Sequence, residues 1–122
     1  MLLINQGTTN SLILTLTENV TIDSPFYLFE FTNDVTMVSQ YYVLKDISIH
    51  PERYNEFLID ETIELTPAGQ WTYRVFQEYD PYNTDPNLTE GLLEIGIAKV
   101  VPSAITTYYE NNNLDNTFIV NE

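Results

Sequence analysis

The chain carries one histidine, His50, no cysteine, and 18 acidic residues against four basic ones. That inventory decides which reactions its side chains could run. Without a thiol there is no cysteine nucleophile, no disulfide framework and no zinc ribbon. A Ser-His-Asp triad would need His50 as its base. No G-x-S-x-G elbow occurs, and His50 stands before Pro51 in a loop-like stretch, so a surface or packing role is expected. Glu78, Asp80, Asp85 and Glu90 frame one polar segment. Two such carboxylates could flank a glycosidic bond, but a domain of this size offers only a small cleft. The run Asp80-Pro81-Tyr82-Asn83-Thr84-Asp85-Pro86-Asn87 has oxygen ligands for calcium, yet it lacks the D-x-D-x-D-G order and the closing glutamate. A proline-braced polar turn is expected there. No catalytic, cofactor or metal residue is assigned, and the chain is expected not to be an enzyme.

What remains is the chemistry of surfaces. Nine tyrosines and one tryptophan are present. Trp71 and Tyr73 lie on an apolar strand face and are expected in the core. Tyr41-Tyr42, Tyr79, Tyr82 and Tyr108-Tyr109 are expected to be exposed. Tyrosine supplies large contact area at low entropy cost, which suits a protein interface, and its ring also suits sugar stacking.

These side chains must be held by strands. Leu12, Leu14 and Leu16 alternate with Thr15 and Thr17; Tyr27, Phe29 and Phe31 alternate with Phe26, Leu28 and Glu30. A period of two is that of a half-buried strand. A third run covers Val38 to Leu44, and Glu56 to Ile59 with Glu61 to Leu65 reads as a broken pair or one bent strand. Asp46 to Tyr54 reads as a loop or single helical turn, and Pro67-Ala68-Gly69 as a turn. Gln70 to Glu78 puts Trp71, Tyr73 and Val75 on one face. Gly91 to Val101 puts Leu93, Ile95 and Ile97 on one face, and pairing the two runs is expected to stack those two sets as the core centre. Gly96 inside a strand predicts a bulge or a close backbone approach.

About seven short strands and no sustained helical period predict an all-β, immunoglobulin-like antiparallel β-sandwich. A small barrel is the alternative. Residues 1–101 are expected to form the domain and 102–122 an extended C-terminal tail or added strand. The tail's Phe118, Ile119 and Val120 could dock on their own sheet or pair with a neighbouring molecule.

The net charge of −14 narrows the partners. So acidic a domain repels nucleic acid and anionic membrane. Lys45, Arg53, Arg74 and Lys99 are too few and too scattered for a basic stripe. Met1 to Gln6 has neither the basic nor the apolar run of a signal peptide, so synthesis in the cytoplasm is expected.

Several segments carry a resemblance. They are Pro25-Phe26-Tyr27-Leu28-Phe29-Glu30-Phe31, Gly69 to Glu78 (G-Q-W-T-Y-R-V-F-Q-E), and Leu93-Glu94-Ile95-Gly96-Ile97-Ala98-Lys99-Val100. Asn83-Thr84-Asp85-Pro86 and Ser48 to Phe57 (S-I-H-P-E-R-Y-N-E-F) add to it. In that order they resemble small virion proteins of tailed bacteriophages, especially crAss-like phages and related phages of Bacteroidetes. The resemblance spans roughly residues 1 to 101 and contains no catalytic motif. It implies an auxiliary capsid protein, a decoration or cement β-sandwich bound to the major capsid protein and other virion proteins, located in the virion. A tail, collar or head-fibre component is the alternative in that class, and a carbohydrate-binding module the alternative outside it. Association with further copies of the chain is left open. The interface is expected at Tyr79, Tyr82, Asn83 and Asp85 in the long loop, and at Tyr108, Tyr109, Phe118, Ile119 and Val120 in the tail.

Overall fold

A computed structural model describes residues 1–60 and 63–102. Among the described residues seven strands run in chain order: β1 (Leu2–Asn5), β2 (Asn10–Leu14), β3 (Phe26–Asn33), β4 (Ser39–Leu44), β5 (Asn55–Ile59), β6 (Gly69–Glu78) and β7 (Leu92–Val101). Short 3₁₀ turns fall at Thr17–Asn19 and Pro86–Leu88. The large sheet has the order β1-β7-β6-β3-β4, and β2-β5 form a small second sheet. The all-β sandwich read from the sequence is therefore what the chain forms. No helix among the described residues is long and apolar enough to cross a membrane.

The chain changes sheets at the β1–β2 turn. Gly7 takes a φ of 78° there, where a side chain would be strained. Asn10 clamps the turn: its Oδ1 accepts from the Asn5 amide at 2.9 Å and its Nδ2 donates to the Asn5 carbonyl at 2.8 Å.

Alternation does the rest. Leu12 and Leu14 of β2, Phe57 and Ile59 of β5, and the following Leu16 and Leu65 are buried from the small-sheet side. They meet Tyr27, Phe29 and Phe31 of β3 and Trp71, Tyr73 and Val75 of β6 in one core cluster. Phe57 is the hinge pin. Its ring lies edge-on to Tyr27 at 5.0 Å and to Phe29 at 4.9 Å, the geometry that aromatic quadrupoles favour. Trp71 is fully buried, and its indole N–H donates to the Pro67 carbonyl at 3.0 Å.

Two expectations need correcting. The first is that every strand pairing is antiparallel. β1 lies parallel to β7, with Leu2 opposite Ala98 and Ile4 opposite Val100. The second concerns the core face of β7. The register places Trp71 opposite Ala98, Tyr73 opposite Gly96 and Val75 opposite Glu94. Ala98 and Val100 are thus the buried residues, whereas Ile95 and Ile97 are 54% and 45% exposed. A bulge explains why Leu93 is buried all the same. The register shifts between Val75 and Phe76, which pair with Glu94 and Leu92, leaving Leu93 as the extra residue turned inward.

Gly96 marks the close approach that its position predicts. A Cβ there would lie 2.5 Å from the Tyr73 hydroxyl oxygen and 2.6 Å from two ring carbons. The Tyr73 ring crosses the glycine and its hydroxyl donates to Glu94 Oε2 at 2.5 Å. Burial, and after it Glu94, pushes the phenol pKa well above its ordinary value, so this donor stays protonated.

Candidate functional site

The outer face of the large sheet follows from the same register. Outward positions on β1 and β7 are Leu3, Ile97 and Ile95, with Leu92 beyond the bulge. Leu3 is 57% and Leu92 46% exposed, so with the two isoleucines they form an apolar stripe across two neighbouring strands. Beside it run Thr72 and Arg74 of β6, then Glu30 of β3 and Tyr41 of β4. Glu30 is held twice: Arg74 Nη1 lies 3.4 Å from its Oε1, and the Tyr41 hydroxyl donates to its Oε2 at 3.1 Å. Lys99 flanks Leu3. Outward-facing Arg74 and Lys99 thus balance Glu30 on a domain that is otherwise strongly acidic.

One end of this face is covered. Leu28 and Glu78 occupy outward positions yet are buried, at 0% and 1% exposure. The loop between β6 and β7 reaches back here, since Asn83 Nδ2 donates to Glu78 Oε1 at 2.7 Å. The other oxygen, Glu78 Oε2, has no hydrogen-bond partner among the described residues. Burial raises the Glu78 pKa; the Asn83 hydrogen bond opposes this and the nearby Asp80 adds to it.

The four predicted loop residues take two different roles. Asn83 and Asp85 build the loop. Asn83 Nδ2 also donates to the Asp85 carbonyl at 2.9 Å, the Asp85 amide donates to Asn83 Oδ1 at 3.1 Å, and Asp85 Oδ1 accepts from the Asn87 amide at 2.9 Å. Such Asx turns spend these side chains on the chain's own backbone. Tyr79 and Tyr82, 61% and 87% exposed, are the pair the loop displays. Leu88, in the same loop, is 69% exposed. Asp80 Oδ1 accepts from the Tyr82 amide at 2.8 Å, so the turn that presents Tyr82 is itself fixed. The predicted Tyr108, Tyr109, Phe118, Ile119 and Val120 lie outside the described residues.

Tyr41 and Tyr42, expected to be exposed, are half-buried: Tyr41 binds Glu30, and Tyr42 packs against the core at 6.5 Å from Phe31. His50 sits on the exposed turn before β5 with its Nδ1 3.6 Å from Glu52. Among the described residues, no three His, Asp or Glu side chains gather as a metal-holding group.

Sequence reading missed the stripe because Ile95 and Ile97 look like core. The available signal was their complement. Gly96, Ala98 and Val100 are small, and small residues fit a strand that packs beneath Trp71 and Tyr73.

No protein-family model matches the chain, and no curated protein matches it. Among solved structures, the chain is similar to a protein from Bacteroides vulgatus described as a candidate glycoside hydrolase. The identity is 10% and the TM-score 0.48. The match covers 86% of this chain but only 17% of that protein, and a likeness so weak carries no argument about activity.

Proposed function

We propose that the domain is a non-catalytic structural protein that binds another protein through the outer face of its large sheet. In this proposal the partner is the major capsid protein of a tailed phage, and the domain is an auxiliary capsid protein of the virion. The observation that carries the reading is the stripe of Leu3, Leu92, Ile95 and Ile97 on a charge-balanced face. Interface centres are depleted in charge and rich in apolar and aromatic groups, and arginine is the charged residue they favour. Arg74, opposite Ile95 on the neighbouring strand, borders the stripe as such a group. The family-like segments supply the identity of the partner. The charge of −14 supports a place outside the shell, where an acidic domain can meet basic patches without being drawn to the genome. Many copies on one particle would add avidity, so each contact can be small.

The reading is tested by looking for the protein on purified virions by electron microscopy and mass spectrometry. Hundreds of copies per particle are expected for a shell protein, a dozen or so for a collar or tail component. Absence from purified particles would overturn it. A carbohydrate-binding module has one observation in its favour, the exposure of Tyr79 and Tyr82 on a braced loop. Glycan-array binding lost on Tyr79→Ala or Tyr82→Ala would mark that reading as the better one.

A further inference from the structure

A cavity of about 500 Å³ opens where the loop before β3 meets the end of β4 and the turn before β5. It uses none of the outer-stripe residues. Its walls are mainly apolar, from Val20, Pro25, Phe26 and Pro51. Pockets of this size and lining, with a few placed polar groups, are the usual seats of small organic ligands.

The polar groups in it are unevenly used. Asp46 is spent: its Oδ1 accepts from the amides of Ser48 at 2.8 Å and Glu56 at 3.0 Å, and its Oδ2 accepts from Asn55 Nδ2 at 2.7 Å. Asn55 in turn donates from its Nδ2 to Asp46 and Thr17, and its Oδ1 accepts from the Leu16 amide at 2.6 Å. The donors are unused among the described residues. Tyr27 lines the cavity while only 4% exposed, and its hydroxyl has no hydrogen-bond partner among the described residues. The single fully enclosed side-chain atom left without a partner among them is Glu78 Oε2, so the Tyr27 hydroxyl keeps some solvent contact, and it lies close enough to Asp46, which also lines the cavity, to feel its charge. Burial, with a smaller contribution from Asp46, raises its pKa and keeps it protonated. Lys45 also lines the cavity, with no carboxylate within ion-pair distance among the described residues. Ser24, its backbone held at a φ of 48°, is a further polar residue of the lining.

We infer that this cavity binds an apolar carboxylate: an alkyl or aryl group seated against Val20, Pro25, Phe26 and Pro51, its carboxylate accepting from the Tyr27 hydroxyl and the Lys45 ammonium. A nearly buried hydroxyl without an acceptor suits a ligand that brings one, and the exposed Lys45 ammonium, with no ion-pair partner among the described residues, is placed to meet the anionic end of such a ligand. The carboxylate can come from a free organic acid or from the C-terminal residue of a peptide chain.

The test is titration of the full chain, followed by amide NMR, with 3-phenylpropionate and with a short peptide ending in a phenylalanine with a free carboxylate. Saturable shifts are expected around Val20, Phe26, Tyr27 and Lys45. 3-Phenylpropanamide and the amidated peptide should bind about tenfold more weakly, the scale of a lost hydrogen bond to a charged group. Tyr27→Phe, which keeps the ring against Phe57, should weaken the acids by a similar factor. Lys45→Gln, at an exposed position, should do the same and serves if Tyr27→Phe disturbs folding. A peptide that binds more than tenfold tighter than 3-phenylpropionate names a chain terminus as the source; equal binding names a free acid. No saturable shift with either acid, or acids and amides binding equally, would overturn the assignment.

Discussion

Replacing Gly96 by alanine asks which way β7 faces. If Gly96 pointed outward, as it would were Ile95 and Ile97 buried, alanine would be harmless. It would even stabilise the strand by about 0.5–1 kcal/mol, because glycine in a strand interior loses more backbone entropy. The structure gives the opposite sign. The new methyl would sit 2.5–2.6 Å from three atoms of Tyr73. That ring cannot slide away cheaply, since it is 4% exposed and tied at its hydroxyl to Glu94. Overpacking a core costs about 1–3 kcal/mol, and the alanine gain offsets part of it. The net expectation is a loss of about 1–2 kcal/mol, read by urea unfolding with the fluorescence of buried Trp71. Shortening the partner should rescue it. In a double-mutant cycle, Tyr73→Leu with Gly96→Ala should show a favourable coupling of about 1 kcal/mol. A Gly96→Ala protein as stable as the parent, or more so, would refute the register and the exposed stripe with it.

Further outcomes follow from the same geometry. Ile95→Asn with Ile97→Asn should leave stability within about 0.5 kcal/mol, as for exposed positions, while abolishing attachment to particles in a co-sedimentation assay. Glu78 is a carboxyl whose folded pKa lies above its ordinary 4.5, so the native state holds its proton more tightly than the unfolded chain. Its contribution therefore falls as pH rises through and above 4.5. Glu78→Gln should remove that fall and raise stability at pH 7 by about 1 kcal/mol relative to the parent, measured by urea midpoints at both ends of the range. Asn55→Ala strips the acceptor from the buried Leu16 amide and the donor from Asp46, and should cost about 2–3 kcal/mol by the same assay.

How much of this was legible depended on the strand. β2 alternates cleanly between core and solvent, and the core face of β3 keeps the same period although Leu28 on its other face is buried as well. Their buried sets, Leu12, Leu14 and Leu16, then Tyr27, Phe29 and Phe31, can be read directly. β7 cannot. L-L-E-I-G-I-A-K-V-V is apolar on both faces, and a bulge at Leu93 breaks the period, so alternation points to the wrong side. β1 is four residues long and its partner strand is about ninety residues away in a parallel pairing, which no local pattern announces. The turn-rich segment at 79–90 was readable as an exposed loop from its Asp, Asn and Pro residues. That Asn83 and Asp85 are consumed inside it depends on folded geometry.

In the proposed function the outer face of the large sheet docks on a phage shell. Electron microscopy of purified particles tests it most directly, at a resolution that orients the domain. Density for many copies is expected, each with Leu3, Ile95 and Ile97 against the major capsid protein and the β2-β5 sheet turned away. Particles that lack the protein, or that carry it with this stripe facing solvent, would contradict it.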